Sequence, residues 1–436
     1  MYLLKNLNQH FTNTMYSAVW GYKAPNGREY AMLGCPTGTA FIDITDSADI
    51  REVDYLPGLT SSWREMKTYL NYAYIVSEAD NSGVQIVDLQ YLPDSVHLVK
   101  KFVAPTHRST HAISQSGPYL YLSGCNSSFV PNGGFVVFFL TNDPVTPVVR
   151  GKWTTNYVHD CRVVNDTIYA ANIYNQKVSV INASNKSLLS SITSFINLPG
   201  SGPHNTALSG NGNRLFVIDE IGTAPYKLKV WNIENTSSIS YVTSWQPTGI
   251  TTSIVHNIEI YGNYAIIAHY SAGIRIVNIA NPDVPTEVGW YDTYPSNNSE
   301  SYNGCWGTYM FPSGKIIASD RQTGLYVVKP TFLITGTEQN TTNSLVPDNF
   351  SLAQNYPNPF NPATKIKFSL PENSIVSLKI FDINGREVAD VLNEKRAAGN
   401  YEINFDANKY SLSSGMYYYT LSSGDFKESK KMILIK

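Results

Sequence analysis

Charge is scarce in this chain. Only 15% of its 436 residues are Asp, Glu, Lys or Arg, and their formal balance is −2. So weak a field gathers no polyanion, which argues against nucleic acid and anionic membrane as partners. Long apolar runs are missing as well. The longest compact one, Phe-Val-Val-Phe-Phe-Leu at 135–140, has the length of a strand, far from the ~20 residues that span a bilayer, so no transmembrane segment is expected. The four cysteines, Cys35, Cys125, Cys161 and Cys305, form neither a CxxC metal knuckle nor a dense disulfide framework. They leave room for buried free thiols or at most one disulfide. Enzyme signatures are also absent: no His-Glu-x-x-His, no Gly-x-Ser-x-Gly, no phosphate loop, and no Gly-x-Gly-x-x-Gly after a strand. The first residues, Met-Tyr-Leu-Leu-Lys-Asn, lack the basic start, apolar stretch and small-residue cleavage site of a secretory signal.

What the chain does have is aromatic residues (12%, including 30 Tyr) and a repeat. A short apolar strand ending near Asp or Asn recurs, for example Ala-Phe-Ile-Asp-Ile at 40–44, Val-Gln-Ile-Val-Asp-Leu at 84–89 and Leu-Lys-Val-Trp-Asn-Ile at 228–233. Further copies lie at 135–140, 178–183, 274–279 and 325–330, spaced 43 to 51 residues apart. That spacing is the period of a four-stranded propeller blade. The seventh copy has no outer strand after it, and residues 1–10 precede the first inner strand without a partner of their own. Pairing these two loose ends would close the ring and remove an open edge. The reading is therefore all-β: a seven-bladed β-propeller over residues 1–331, a linker at 332–349, and a small Ig-like β-sandwich over 350–436. A monomer is expected.

Aligning the starts of the inner strands gives one column: Trp20, Trp63, His111, His159, His204, His256 and Trp306. Half of the eight histidines fall in it. The following position carries Arg64 and Asp160, among others. The second strand of each blade returns to the same face of the ring, and its ends carry Glu78, Asp219 with Glu220, His269, and Asp320 with Arg321. Adjacent acids on a strand point to opposite faces, so only one of Asp219 and Glu220 can face a common site. Two readings follow. In one, His111, His159, His204, His256 and Asp160 hold a divalent metal such as zinc or manganese, while Trp20, Trp63, Trp306, Arg64 and Glu78 contact a ligand. In the other, each histidine hydrogen-bonds within or between blades and the column is structural.

The tail carries Asn-Tyr-Pro-Asn-Pro-Phe-Asn-Pro at 355–362, Ser-Gly-Met-Tyr-Tyr-Tyr at 414–419 and Lys-Lys-Met-Ile-Leu at 430–434. Over residues 350–436 it resembles the C-terminal sorting domain of type IX secretion substrates. That resemblance implies recognition by the outer-membrane translocon through this segment, and a secreted or surface location reached via the periplasm. It also implies cleavage of the tail or its replacement by a lipopolysaccharide anchor. Such substrates carry an inner-membrane export signal, so the true start is expected upstream of Met1. The ring is similar to LVIVD-repeat propellers, and to the choice-of-anchor B family in particular, through Gly-Thr-Ala-Phe-Ile-Asp-Ile-Thr at 38–45, Ser-Trp-Arg-Glu at 62–65, Ala-Tyr-Ile-Val-Ser-Glu at 73–78 and Gly-Leu-Tyr-Val-Val at 324–328. The resemblance carries fold and location but no activity. The expected function is a surface binding protein for glycan or protein; the alternative is a metal-dependent extracellular hydrolase or lyase at the His/Asp mouth.

Overall fold

In the computed structural model, the described residues are 1–10, 15–104, 107–140, 143–198, 201–332, 334, 350–371, 374–396, 399–424 and 426–435. The chain divides into two compact units. Among the described residues, the first contains seven four-stranded antiparallel sheets, the second a three-stranded and a four-stranded sheet.

The sixth sheet shows how the sequence builds a blade. Asn257–Tyr261 pairs with Tyr264–His269, which pairs with Gly273–Asn278, which pairs with Thr286–Tyr291. The first reversal is the two-residue turn Gly262–Asn263, with Gly262 at φ 56°, a backbone setting that favours glycine. The Asp or Asn that closes the third strand is there to turn the chain. Asp43, Asp88, Asn182, Asn232 and Asn278 each accept, through Oδ1, a hydrogen bond from the amide two residues on. This side-chain turn redirects the backbone toward the outer strand.

Closure of the ring follows the same rules. Tyr2–Leu7 pairs antiparallel with Gly324–Lys329 as the outer strand of the seventh sheet. The register of this pair slips between Leu3 and Lys5, as it does in the outermost pair of the other blades, for example between Ile276 and Val277. Gly324, at φ 83°, sits where a Cβ would fall 2.2 Å from the Leu7 carbonyl oxygen; Gly273 stands in the same relation to Tyr291, at 2.3 Å. The N-terminal strand thus occupies the place that the outer strand fills elsewhere. The Tyr16 amide donates to the Arg321 carbonyl, joining the last sheet to the first.

The four cysteines are buried free thiols. Of the linker expected at 332–349, only Phe332 and Ile334 are described; both join the apolar cluster of Ile266, Ile276 and Val328. The rest lies outside the described residues. In the second unit, Ala363–Leu370 alternates exposed and buried side chains, as a strand covering a core on one face should. Its core includes Ile366, Phe368, Leu378, Ile380, Tyr419 and Leu421. The Asn355 amide donates to the Tyr419 hydroxyl, which donates to the Ala353 carbonyl.

Buried histidines make the first unit sensitive to acid. Burial pushes the pKa of His107 down to about 4 and that of His269 to about 3. In an unfolded chain both would titrate near ~6.5. The native state therefore refuses protons that the unfolded state takes up, so their contribution to stability is complete above that value and is lost as pH falls toward 4 and 3. Each should add about 1.4 kcal/mol per pH unit to the slope of stability between pH ~6 and ~4.5. Urea midpoints of the wild type and His107→Asn across this range check it: the variant should show the shallower slope.

Candidate functional site

The inner strands deliver their histidines by backbone pairing. The amides of His111, His159 and His256 donate to the carbonyls of Ser123, Ala171 and Ala268 at 3.1, 2.9 and 2.9 Å. This sets equivalent residues of successive blades at one level of the channel, and their rings touch in sequence. Centroids lie 4.1 Å apart for His111 and His159, 4.3 Å for His159 and His204, and 4.1 Å for His204 and His256. Trp306 follows His256 at 4.6 Å, Trp63 follows Trp306 at 5.9 Å, and Trp63 returns to His111 at 6.5 Å. Six rings from six blades form a closed circle.

Glu220 faces the histidine arc. Its carboxylate lies 3.6 Å from His204 Nε2, 3.7 Å from His256 Nε2 and 4.0 Å from His159 Nε2, while the Tyr270 hydroxyl donates to Oε1 at 3.0 Å. His159, His204 and Glu220 offer ligand atoms that all lie within 4.8 Å of one another. Asp219, one residue earlier, points the other way and pairs with buried Lys229 at 3.1 Å. Glu78 binds His111 Nδ1 at 2.6 Å. Glu78, His111, His159, His204, Glu220 and Tyr270 line a cavity of about 770 Å³ together with Tyr157, Tyr174, Tyr302 and Arg321.

The electrostatics of the floor are unusual. Burial, with added repulsion from neighbouring imidazoles, holds His159 and His204 well below the ordinary histidine pKa; burial likewise holds His256 down. Burial pushes Glu220 up to about 7. Burial works against a charged His111 as well, but the hydrogen bond and charge of Glu78 prevail and its pKa is raised. His256 Nδ1 contacts the Trp306 carbonyl oxygen, so it must carry the proton, and the lone pair of a neutral ring is left on Nε2 facing Glu220. A lone pair facing a carboxylate is relieved by protonation of the carboxyl, which burial favours, or by a cation between them. The separations of 3.6 to 4.0 Å are too long for a shared proton. They suit ligands of one cation, which at ~2.1 Å from each would set neighbouring donors roughly 3 to 3.5 Å apart after small adjustment.

Three expected site residues lie elsewhere. Trp20 is not in the circle. The first blade's counterpart of the histidines is Ser17, whose amide donates to the Gly34 carbonyl as theirs do to their own second strands. Trp20 lies three residues, about 10 Å, further along its strand. There it packs edge-on to Tyr309 with Lys67 Nζ 3.4 Å from its ring centre. Asp160 belongs to that same lower level: its carboxylate accepts from the Cys161 amide, Ser114 Oγ and Asn205 Nδ2, which saturates it away from the histidine nitrogens. Arg64 is buried between the first two blades, donating to the carbonyls of Cys35 and Leu59. Conversely, Tyr270, Tyr174 and Tyr302 were not singled out by the sequence. The last two sit on connecting segments, where no strand pattern marks them.

The chain has recognisable relatives in parts. Residues 254–293 match the LVIVD repeat, and residues 354–436 match the secretion system C-terminal sorting domain. No match was found among curated proteins. Among solved structures, it is similar to a putative 6-phosphogluconolactonase from Bacteroides uniformis at 14% identity and a TM-score of 0.54, covering 76% of this chain and 96% of that one. A putative 6-phosphogluconolactonase from Bacteroides fragilis gives 13% identity and 0.52, covering 89% and 98%. The periplasmic gluconolactonase of Pseudomonas aeruginosa gives 11% and 0.52, covering 90% and 100%. At such identities the likeness speaks to the fold alone. No helix among the described residues is long and apolar enough to cross a membrane. The chain is a β-propeller that carries an LVIVD repeat, and its C-terminal sorting domain directs it through type IX secretion to the cell surface or the extracellular space.

Proposed function

We propose that the exported propeller binds an extracellular ligand through a divalent cation held by His159, His204 and Glu220, with His256 as a further ligand. The supporting observation is the convergence of three neutral imidazole nitrogens on one buried carboxylate at the floor of an open cavity. Imidazole with carboxylate suits zinc or manganese. A concave site of this volume fits a glycan chain or small molecule better than a folded protein surface. The test is thermal unfolding of stripped protein with and without added cation. At 100 times its dissociation constant, a cation bound only by the native state stabilises it by about 2.7 kcal/mol, seen as a rise of several degrees in Tm. His204→Ala and Glu220→Gln should abolish the rise. Identical melts of stripped and loaded wild type would refute the reading.

The second reading is catalytic, and the Glu78–His111 pair favours it. A carboxylate that orients an imidazole beside a cation and an open cavity is an arrangement for proton transfer, as metal-assisted hydrolysis or elimination needs. On that reading Glu78→Gln lowers turnover by about 10²- to 10⁴-fold and leaves the cation-dependent rise in Tm in place. Full turnover in the variant would remove the pair from any mechanism.

A further inference from the structure

Most buried cations of the first unit have a carboxylate partner. Lys229 is paired with Asp219, Arg275 with Glu287, Arg162 with Glu259 and Arg214 with Asp283. Arg321 is only 7% exposed and lines the cavity, yet it makes no ion pair among the described residues, and its Nε has no hydrogen-bond partner there. Its neighbours are the faces of Trp306, 4.9 Å from the guanidinium, and Trp63, at 5.7 Å, together with the Tyr270 side chain and the more distant charge of Glu220. Its backbone is fixed, the amide donating to the Gly304 carbonyl and its own carbonyl accepting from Tyr16. A buried guanidinium with no carboxylate in ion-pair reach is costly unless a ligand supplies one. Its planar fork matches a carboxylate through two parallel hydrogen bonds.

The rim adds a second kind of contact. Tyr174 and Tyr302 line the same cavity and remain 70% and 45% exposed. Exposed aromatic faces carrying hydroxyls suit the flat, partly apolar face of a sugar ring. Ser301 and Asn303 bring further polar groups to the wall. Sorting to the cell surface or beyond places this cavity among extracellular polymers.

We infer that Arg321 is an anion subsite of the cavity and that its ligand is a carboxylate-bearing sugar, a uronic-acid oligosaccharide. The inference rests on the cavity's being the ligand site proposed above, and it adds the class of ligand. Arg321 holds the carboxylate, the tyrosines stack on the sugar rings, and the cation at Glu220 takes an adjacent oxygen.

Calorimetric titration of the full chain with trigalacturonate and with its methyl ester tests this, because the ester keeps the shape and removes the charge. The acid should bind at least tenfold more tightly than the ester. Arg321→Met should erase that preference while retaining the cation-dependent rise in Tm, and Arg321→Lys should restore part of it. Equal binding of acid and ester, binding of neither, or an unchanged preference in Arg321→Met overturns the inference. A sulfated oligosaccharide lacking uronate that bound more tightly than the uronate would assign the anion to sulfate and likewise overturn it. Loss of the cation effect with the acid preference intact would refute the cation reading and leave the Arg321 subsite standing.

Discussion

A chain lacking residues 1–8 is expected to lose most of the stability of its ring. Tyr2–Leu7 supplies the outer strand of the seventh sheet, and Leu4 and Leu7 pack against the cluster of Ile42, Ile317, Leu325 and Val327. Each ladder hydrogen bond contributes about 0.5–1.5 kcal/mol net. Summed over the strand and joined to the lost apolar burial, the effect rivals the ~5–15 kcal/mol that keeps a domain folded. The deletion also bares the backbone of Gly324–Lys329, a template for pairing with another chain. Calorimetry and light scattering should show a lower, broader transition and concentration-dependent association. A deletion variant that melts with the parent and stays dispersed would show that the terminal strand does not hold the ring closed.

Replacing Asp219 or Glu220 by alanine should separate stability from function within one dipeptide. Asp219→Ala removes the carboxylate paired with Lys229, which is 1% exposed and also donates to Ser201 Oγ and the Asn197 carbonyl, both neutral. Leaving one charge of a buried pair uncompensated costs about 3–5 kcal/mol. Glu220→Ala removes a carboxylate that accepts from the Tyr270 hydroxyl, and relieves a group that burial already disfavours as an anion. It should leave the urea midpoint near the parent value and abolish the response to cation. If the two variants were equally unstable, the assignment of the two acids to opposite faces of the strand would fail.

Much of this architecture could be read from residue order because local chemistry enforces it. The Asp or Asn after each third strand is required by the turn that follows, so the repeat survives in the sequence wherever the turn does. The missing outer strand of the seventh blade and the unclaimed strand at residues 2–7 are complementary absences that only ring closure reconciles. Strand alternation also fixed that only one of Asp219 and Glu220 could face the channel. The errors arose where register decides. Trp20 resembles Trp63 and Trp306 as a residue type, but backbone pairing puts Ser17 at their level. Asp160 adjoins a cavity histidine in sequence, yet its carboxylate is claimed by Ser114 and Asn205 from the two flanking blades. Arg64 follows a cavity tryptophan and turns into the seam between blades. A one-residue step along a strand reverses a side chain, and only long-range pairing sets where the count begins.

Elemental analysis of tag-free protein, purified without chelators or added metal, tests the central claim most directly. The arrangement of His159, His204, His256 and Glu220 predicts about one divalent transition-metal ion per chain, retained through gel filtration and missing from Glu220→Gln and His204→Ala. Wild-type protein that carries no stoichiometric metal and takes up none when dialysed against zinc or manganese would contradict it.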